Sequence, residues 1–248
     1  MIPISDERTP RRHFPVLTYG LIALNALVFL YELTLSEPRL EAFFYAYGVV
    51  PIAVTTGTDV PPGAPAIVWL TLFTSQFLHG GWAHFLGNML YLWVFGDNVE
   101  DTLGRKLYLP FYLGCGVVAG LAQIAVAPLS HVPSIGASGA IAGVLGAYLL
   151  LFPHALVRTV IAFGYFIRIV PVPAIVVIGF WIVIQFFSGL ASLGVATMET
   201  GGVAYWAHVG GFVAGVALIM ALRGGDVIRR WRQRRQPEPA EEEEGGFF

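Results

Sequence analysis

Gly136-Ala137-Ser138-Gly139-Ala140-Ile141-Ala142-Gly143 sets one serine among small residues at the mouth of an apolar segment that ends at Phe152, before Pro153. The composition from Ser138 onward predicts a helix of about 15 residues, which at 1.5 Å per residue reaches only roughly 22 Å. A bilayer core is about 30 Å thick. With its lower end at the inner surface, this helix leaves Ser138 roughly 8 Å below the outer one, and the uncharged loop 128–137 has to dip inward to meet it. The first N–H groups of a helix lack internal partners and sit at the positive end of its dipole, so they are placed to hold an oxyanion beside the serine. The octapeptide alone is open to a second reading, a small residue that lets two helices approach.

The rest of the chain is as apolar. Of 248 residues, 56% are hydrophobic and 12% charged, and the mean hydropathy is +0.70. Soluble domains carry about twice that charge, so the fold class expected is an all-α polytopic membrane protein. The single Cys115 lies within an apolar segment and leaves no intrachain disulfide. The start, residues 1–15, is polar, with Arg8, Arg11 and Arg12, and lacks a cleavable signal pattern, so the first apolar run is expected to anchor the protein.

Six spans are expected. They are residues 16–35, a segment led in by His79-Gly80-Gly81 and ending near Phe95, residues 107–126, the Ser138 helix, residues 174–192 and residues 203–222. Residues 36–65, aromatic and then Pro/Gly-rich, read as a first loop lying on the membrane interface. Asp97 to Lys106 reads as a charged turn. Residues 156–172, with Arg158 and Arg168, read as an inner-surface segment, and Glu199-Thr200-Gly201-Gly202 as a turn. The expected organisation is thus a cytoplasmic segment 1–15, a membrane-embedded core 16–223 and a charged, disordered cytoplasmic tail 224–248. Of the 14 arginines and lysines, this scheme places only Arg39 outside, so both termini are expected in the cytoplasm; with no targeting segment read, a bacterial plasma membrane is the expected setting. Arg229, Arg230, Arg232, Arg234 and Arg235 fit either anionic headgroups or ordinary positive-inside retention, and Glu241 to Glu244 a solvated tail.

Depth brings three polar residues to one level. Ser138 comes out at roughly 8 Å, His208 at roughly 8–9 Å and Asn88 at roughly 12 Å from the outer ends of their spans. Intramembrane polar groups are costly and tend to face one another or a wet cavity. His208 shares a helical face with Gly211 and Gly215, and Gly139, Gly143 and Gly146 give the Ser138 helix a similar smooth strip. Two such faces pack closely enough for an imidazole to reach a hydroxyl, although a lone histidine also fits a plain interhelical hydrogen bond. Asp97, Glu100 and Asp101 fall at the inner end and Glu32 and Glu199 near the outer surface, so a Ser–His dyad fits better than a triad, with an aromatic or backbone group expected to buttress the imidazole. His84 and Asn88, four apart, stack on one face and can donate toward an oxyanion. His79 and His84 are five apart with no cysteine or carboxylate joining them, so no metal site is expected. The soluble-lipase pattern G-x-S-x-G is not met, since Ala140 stands at the second glycine.

Taken together, Gly136-Ala137-Ser138-Gly139, Ala207-His208 followed by Gly211 and Gly215, and His79 with His84-x-x-x-Asn88 resemble the rhomboid family of intramembrane serine proteases. The resemblance runs from the first span through the sixth. It implies a six-helix bundle that cleaves transmembrane segments of other membrane proteins at or just below the outer surface, with the second and fifth spans parting to admit them. By position it implies Ser138 as nucleophile, His208 as base, and His84 and Asn88 as oxyanion donors beside the Ser138 N–H. The Glu100/Gly104-Arg105 turn and the aromatic first loop also resemble family features. One position departs: some members carry an aromatic residue four after the nucleophile that stacks on the histidine, and here it is Ala142. The expected partners are substrate transmembrane segments and the lipid bilayer, with no cofactor and no nucleic acid. A solute transporter or non-catalytic membrane-protein binder is the rival class, disfavoured by the lack of an inverted-repeat pattern or an acidic coupling residue in the bundle. A membrane esterase is a third.

Overall fold

The computed structural model describes residues 1–6, 13–57, 67–163, 166–193 and 203–233. Helix α1 (Val16–Glu32) is followed by two short helices, α2 (Glu37–Tyr47) and α3 (Pro51–Thr56), and by a single turn, α4 (Thr71–Thr74). Then come α5 (Trp82–Leu103), α6 (Arg105–Val126), α7 (Ser138–Leu151), α8 (Ala174–Ala191) and α9 (Tyr205–Gln233). Three of these, α6, α8 and the part of α9 up to Gly225, are long and apolar enough to cross a membrane, while α1 and α7 are shorter apolar helices.

Helix α7 is the hub. Small and apolar residues on every side of it are buried, from Gly139 through Tyr148, and it packs on α5, α6 and α9. Helix α8, by contrast, exposes Phe180, Val183 and Phe187 on its outer face, as a helix bordering lipid does.

The chain is mostly helical but not all-α, and this corrects the expected fold class. Strand β1 (Ile2–Asp6) pairs antiparallel with β2 (Leu156–Phe163), which pairs antiparallel with β3 (Phe166–Pro173). The residues read as an inner-surface segment are therefore a hairpin. Their run of Val, Ile and Phe suits a pleated strand, and Pro171 and Pro173 sit on β3, which has a free edge where a missing N–H is tolerated.

A second correction concerns α5, which runs through Gly96-Asp97 to Leu103 rather than ending near Phe95. Gly96 is no turn. A Cβ there would come within 3.0 Å of Tyr108 Oη, Leu92 and Thr18, so the glycine lets α1 and α6 approach. The break between α5 and α6 is Gly104 alone, at φ +74°. Just before it, the Glu100 carboxylate accepts hydrogen bonds from Leu17 N, Thr18 N and Thr18 Oγ1 at 2.7–3.0 Å, which satisfies the first turn of α1. Helix α9 also continues past residue 223, through a kink at Arg223, to Gln233. Arg8, Arg11, Arg12, the stretch 58–65, the turn 199–202, Arg234, Arg235 and the glutamates 241–244 lie outside the described residues.

Candidate active site

The loop ahead of Ser138 is stitched to the first half of the chain. Val49 and Ser134 exchange both backbone hydrogen bonds, at 3.0 and 2.7 Å, and Gly136 N donates to Ser75 O at 2.8 Å. Gly136 itself has φ +127°, a conformation open to glycine and strained for other residues. From there the chain turns into α7, and Ser138 is its first residue. The N–H groups of that first turn have no intrahelical acceptor.

Glycines bring His208 to the serine. A Cβ on Gly211 would run into the Gly139 carbonyl, and one on Gly215 into the Gly143 carbonyl. Helices α7 and α9 thus touch backbone to backbone, the approach that small residues permit. At this spacing His208 Nε2 lies 2.7 Å from Ser138 Oγ. The buttress comes from α8. His208 Nδ1 lies 2.7 Å from Gln185 Oε1, and the Trp181 ring packs on the imidazole with centroids 5.6 Å apart and planes tilted by 37°. Ala142 is fully buried in α7, so the aromatic contact is supplied from a different helix.

Gln185 is the residue that sequence reasoning missed. Its signal was present: it is the one side-chain amide in the otherwise apolar Ala174–Ala191 helix, and an amide in a membrane span calls for a partner.

Helix α5 supplies the facing wall. A Cβ on Gly136 would stand 2.7 Å from His84 Nε2 and 3.5 Å from Ser138 Oγ, so that ring nitrogen looks onto the space beside the serine. On the other side of the ring, Gly80 N donates weakly to His84 Nδ1 at 3.4 Å, which leaves Nε2 as the proton-bearing nitrogen. Asn88 is buried, and its Nδ2 has no hydrogen-bond partner. Ser138, His208, His84, Asn88 and Trp181 all line one cavity of about 590 Å³. A buried donor without a partner, facing a cavity, is poised for an acceptor that arrives with a ligand. His79 stands behind, buried between Phe29 and Phe85 and edge-on to His84 at 5.2 Å.

A family model described as the rhomboid domain matches residues 67–225, well over half of the chain and all of the site. The chain belongs to the rhomboid family. Among relatives of this rhomboid, the mitochondrial rhomboid protein 1 of Saccharomyces cerevisiae is 28% identical over 230 residues, 91% of this chain and 58% of that protein. The rhomboid protease GluP of Bacillus subtilis is 35% identical over 136 residues, 54% of this chain and 24% of that one. The human mitochondrial presenilin-associated rhomboid-like protein is 30% identical over 138 residues, 54% of this chain and 32% of that one. The alignments thus span less than two thirds of each of these relatives. Family and apolar helices together make this rhomboid an integral membrane protein.

Proposed function

We propose that this rhomboid is an intramembrane serine endopeptidase that hydrolyses peptide bonds in or beside the transmembrane segments of other membrane proteins. The observation that carries this reading is the 2.7 Å separation of Ser138 Oγ and His208 Nε2 at a helix N-terminus, inside a cavity. His208 takes the Ser138 proton as Oγ attacks the substrate carbonyl. The oxyanion rests on the N–H groups of the first turn of α7, with Asn88 Nδ2 and His84 Nε2–H beside them. His208 then protonates the leaving amine, and water attacks the acyl-enzyme with His208 again as base. A regular helix hides its carbonyls in i→i−4 hydrogen bonds, so preferred substrates unwind easily near the outer surface, where Gly or Pro weakens them.

The membrane scheme belongs to the same reading. Helices α1, α5, α6, α7, α8 and α9 make six crossings, with both termini cytoplasmic. Arg105, Arg158 and Arg168 then fall on the inner side together, as the positive-inside rule asks. Substrate passes between α5 and α8, a route supported by Asn88 and Trp181 lining the same cavity from those two helices.

The test is labelling of the detergent-solubilised protein with a fluorophosphonate, followed by cleavage of a single-span substrate in proteoliposomes. Labelling and cleavage of the wild type, both lost in Ser138→Ala and in His208→Ala, are the expected result. A folded wild type that neither labels nor cleaves overturns the reading.

A further inference from the structure

A base that works through Nε2 must keep that nitrogen bare, with its proton on Nδ1. In serine hydrolases with a triad, a carboxylate enforces this by accepting from Nδ1–H. Among the described residues, no carboxylate bonds His208 or lines its cavity. Helices α7 and α8 carry no charged residue along their whole length, and the titratable groups lining the cavity from α5 are His84 and Tyr91. On α9 itself the nearest titratable neighbour is Tyr205.

We infer that Gln185, through its amide oxygen 2.7 Å from His208 Nδ1, is the positioning residue that fixes the working tautomer and ring plane of His208. The inference rests on the proposed Ser138–His208 chemistry and adds a third member to it.

Three features favour this role over a plain packing contact. Gln185 is only 9% exposed, on a helix whose other buried residues are small or aliphatic, so its amide is a costly choice unless it is used. The Trp181 ring, one turn away on the same helix, packs on the imidazole, so α8 holds the base by contact and by hydrogen bond at once. Only one of the two amide orientations suits a base. With Oε1 toward Nδ1, the imidazole keeps its proton there and presents a lone pair to Ser138; with the NH2 group toward Nδ1, the proton is driven to Nε2 and the serine cannot be deprotonated. A neutral acceptor also stabilises the imidazolium less than a carboxylate does, so the base releases its proton more readily in the apolar interior.

The experiment measures the rate of fluorophosphonate labelling of Ser138 against pH for wild type, Gln185→Leu and Gln185→Glu, with unfolding midpoints in the same detergent. His208 must be neutral to act, so the rate falls as pH drops through its pKa. Gln185→Leu is expected to lose about tenfold or more in rate at the plateau, a share of what general-base catalysis supplies. Gln185→Glu, which when ionised can only accept, is expected to keep activity while its acid limb moves upward by about one pH unit or more, because a carboxylate favours the imidazolium. A contact that merely fills space would not move that limb. Nitrogen-15 NMR of the histidine-labelled wild type, with His208→Gln as the spectral blank, is expected to show a protonated Nδ1 and a bare Nε2. The opposite tautomer, or two folded variants with wild-type rates and an unmoved acid limb, overturns the role of Gln185 while leaving the nucleophile in place. A wild type that never labels overturns the underlying chemistry instead.

Discussion

A serine hydroxyl is a weak nucleophile, and what changes that here is a set of single atoms. Asn88 Nδ2 is the plainest case, a buried donor with no acceptor. Because it gives up no hydrogen bond within the protein, Asn88→Ala should cost little stability yet lower turnover of a transmembrane substrate by about 10²–10³-fold, the usual loss for one oxyanion donor. Turnover in proteoliposomes beside an unfolding midpoint checks both halves. Gly136→Ala should act through geometry instead. Its positive φ costs roughly 1–3 kcal/mol for a residue with a Cβ, and that Cβ displaces His84, so stability and labelling should fall together, read by thermal unfolding and probe rate. At this scale the sequence was informative where polar residues agreed in depth, since Ser138, His208 and Asn88 line one cavity, and where His84 stacked four residues before Asn88, since it lines that cavity too. Gln185 escaped because nothing in its own helix repeats it or pairs with it. Its partner is a ring nitrogen on another helix, and an aromatic that packs on the imidazole, absent at Ala142 on α7, comes from Trp181 on α8.

Between helices the decisive quantity is the distance at which backbones meet. Gly211 and Gly215 set α9 against the Gly139 and Gly143 carbonyls, so a methyl at Gly215 must push α9 from α7. Gly215→Ala is expected to cost about 1–3 kcal/mol, as overpacking does, and to slow labelling by lengthening the Ser138–His208 separation. Denaturation in detergent and probe kinetics measure the two effects. A second element-level prediction concerns the start of α1. Glu100→Ala leaves Leu17 N and Thr18 N without their acceptor and Thr18 Oγ1 with only Tyr108 Oη at 3.3 Å, and about 2 kcal/mol or more of stability should go with it. Amide exchange in residues 16–19 is the local readout, with Ser138 labelling expected to survive. The glycine strips of α7 and α9 were legible because period and small size coincide. Gly96 was misleading for the same reason that it matters: the sequence Gly-Asp reads as a turn, whereas the missing side chain admits Tyr108 and Thr18. The hairpin was hidden too, since an apolar run holding two arginines does not by itself distinguish strand from surface segment.

For the molecule as a whole, the site and the sheet lie at opposite ends of α7. Ser138 opens that helix, while Tyr148, near its close, donates from its hydroxyl to Asp6 Oδ2 of β1 at 2.8 Å. The same carboxylate oxygen accepts from Asn98 Nδ2 of α5 at 2.6 Å. Asp6→Ala should therefore lower stability by about 1–3 kcal/mol, the cost of removing an acceptor shared by two helices, while an intact protein still labels at Ser138. An unfolding midpoint that drops beside an unchanged plateau rate is the expected pair. None of this was legible from residues 1–6, because a five-residue strand is recognised only beside the strand it joins. The pairing of Ile2 with Val160 also has a temporal meaning. A ribosome adding about 5–20 residues per second needs roughly 8–30 s to make the chain that separates them. Through that interval strand β1 lacks the strand it pairs with and its edge stays open, so β1 finds its place only after the helix bearing Ser138 has been made.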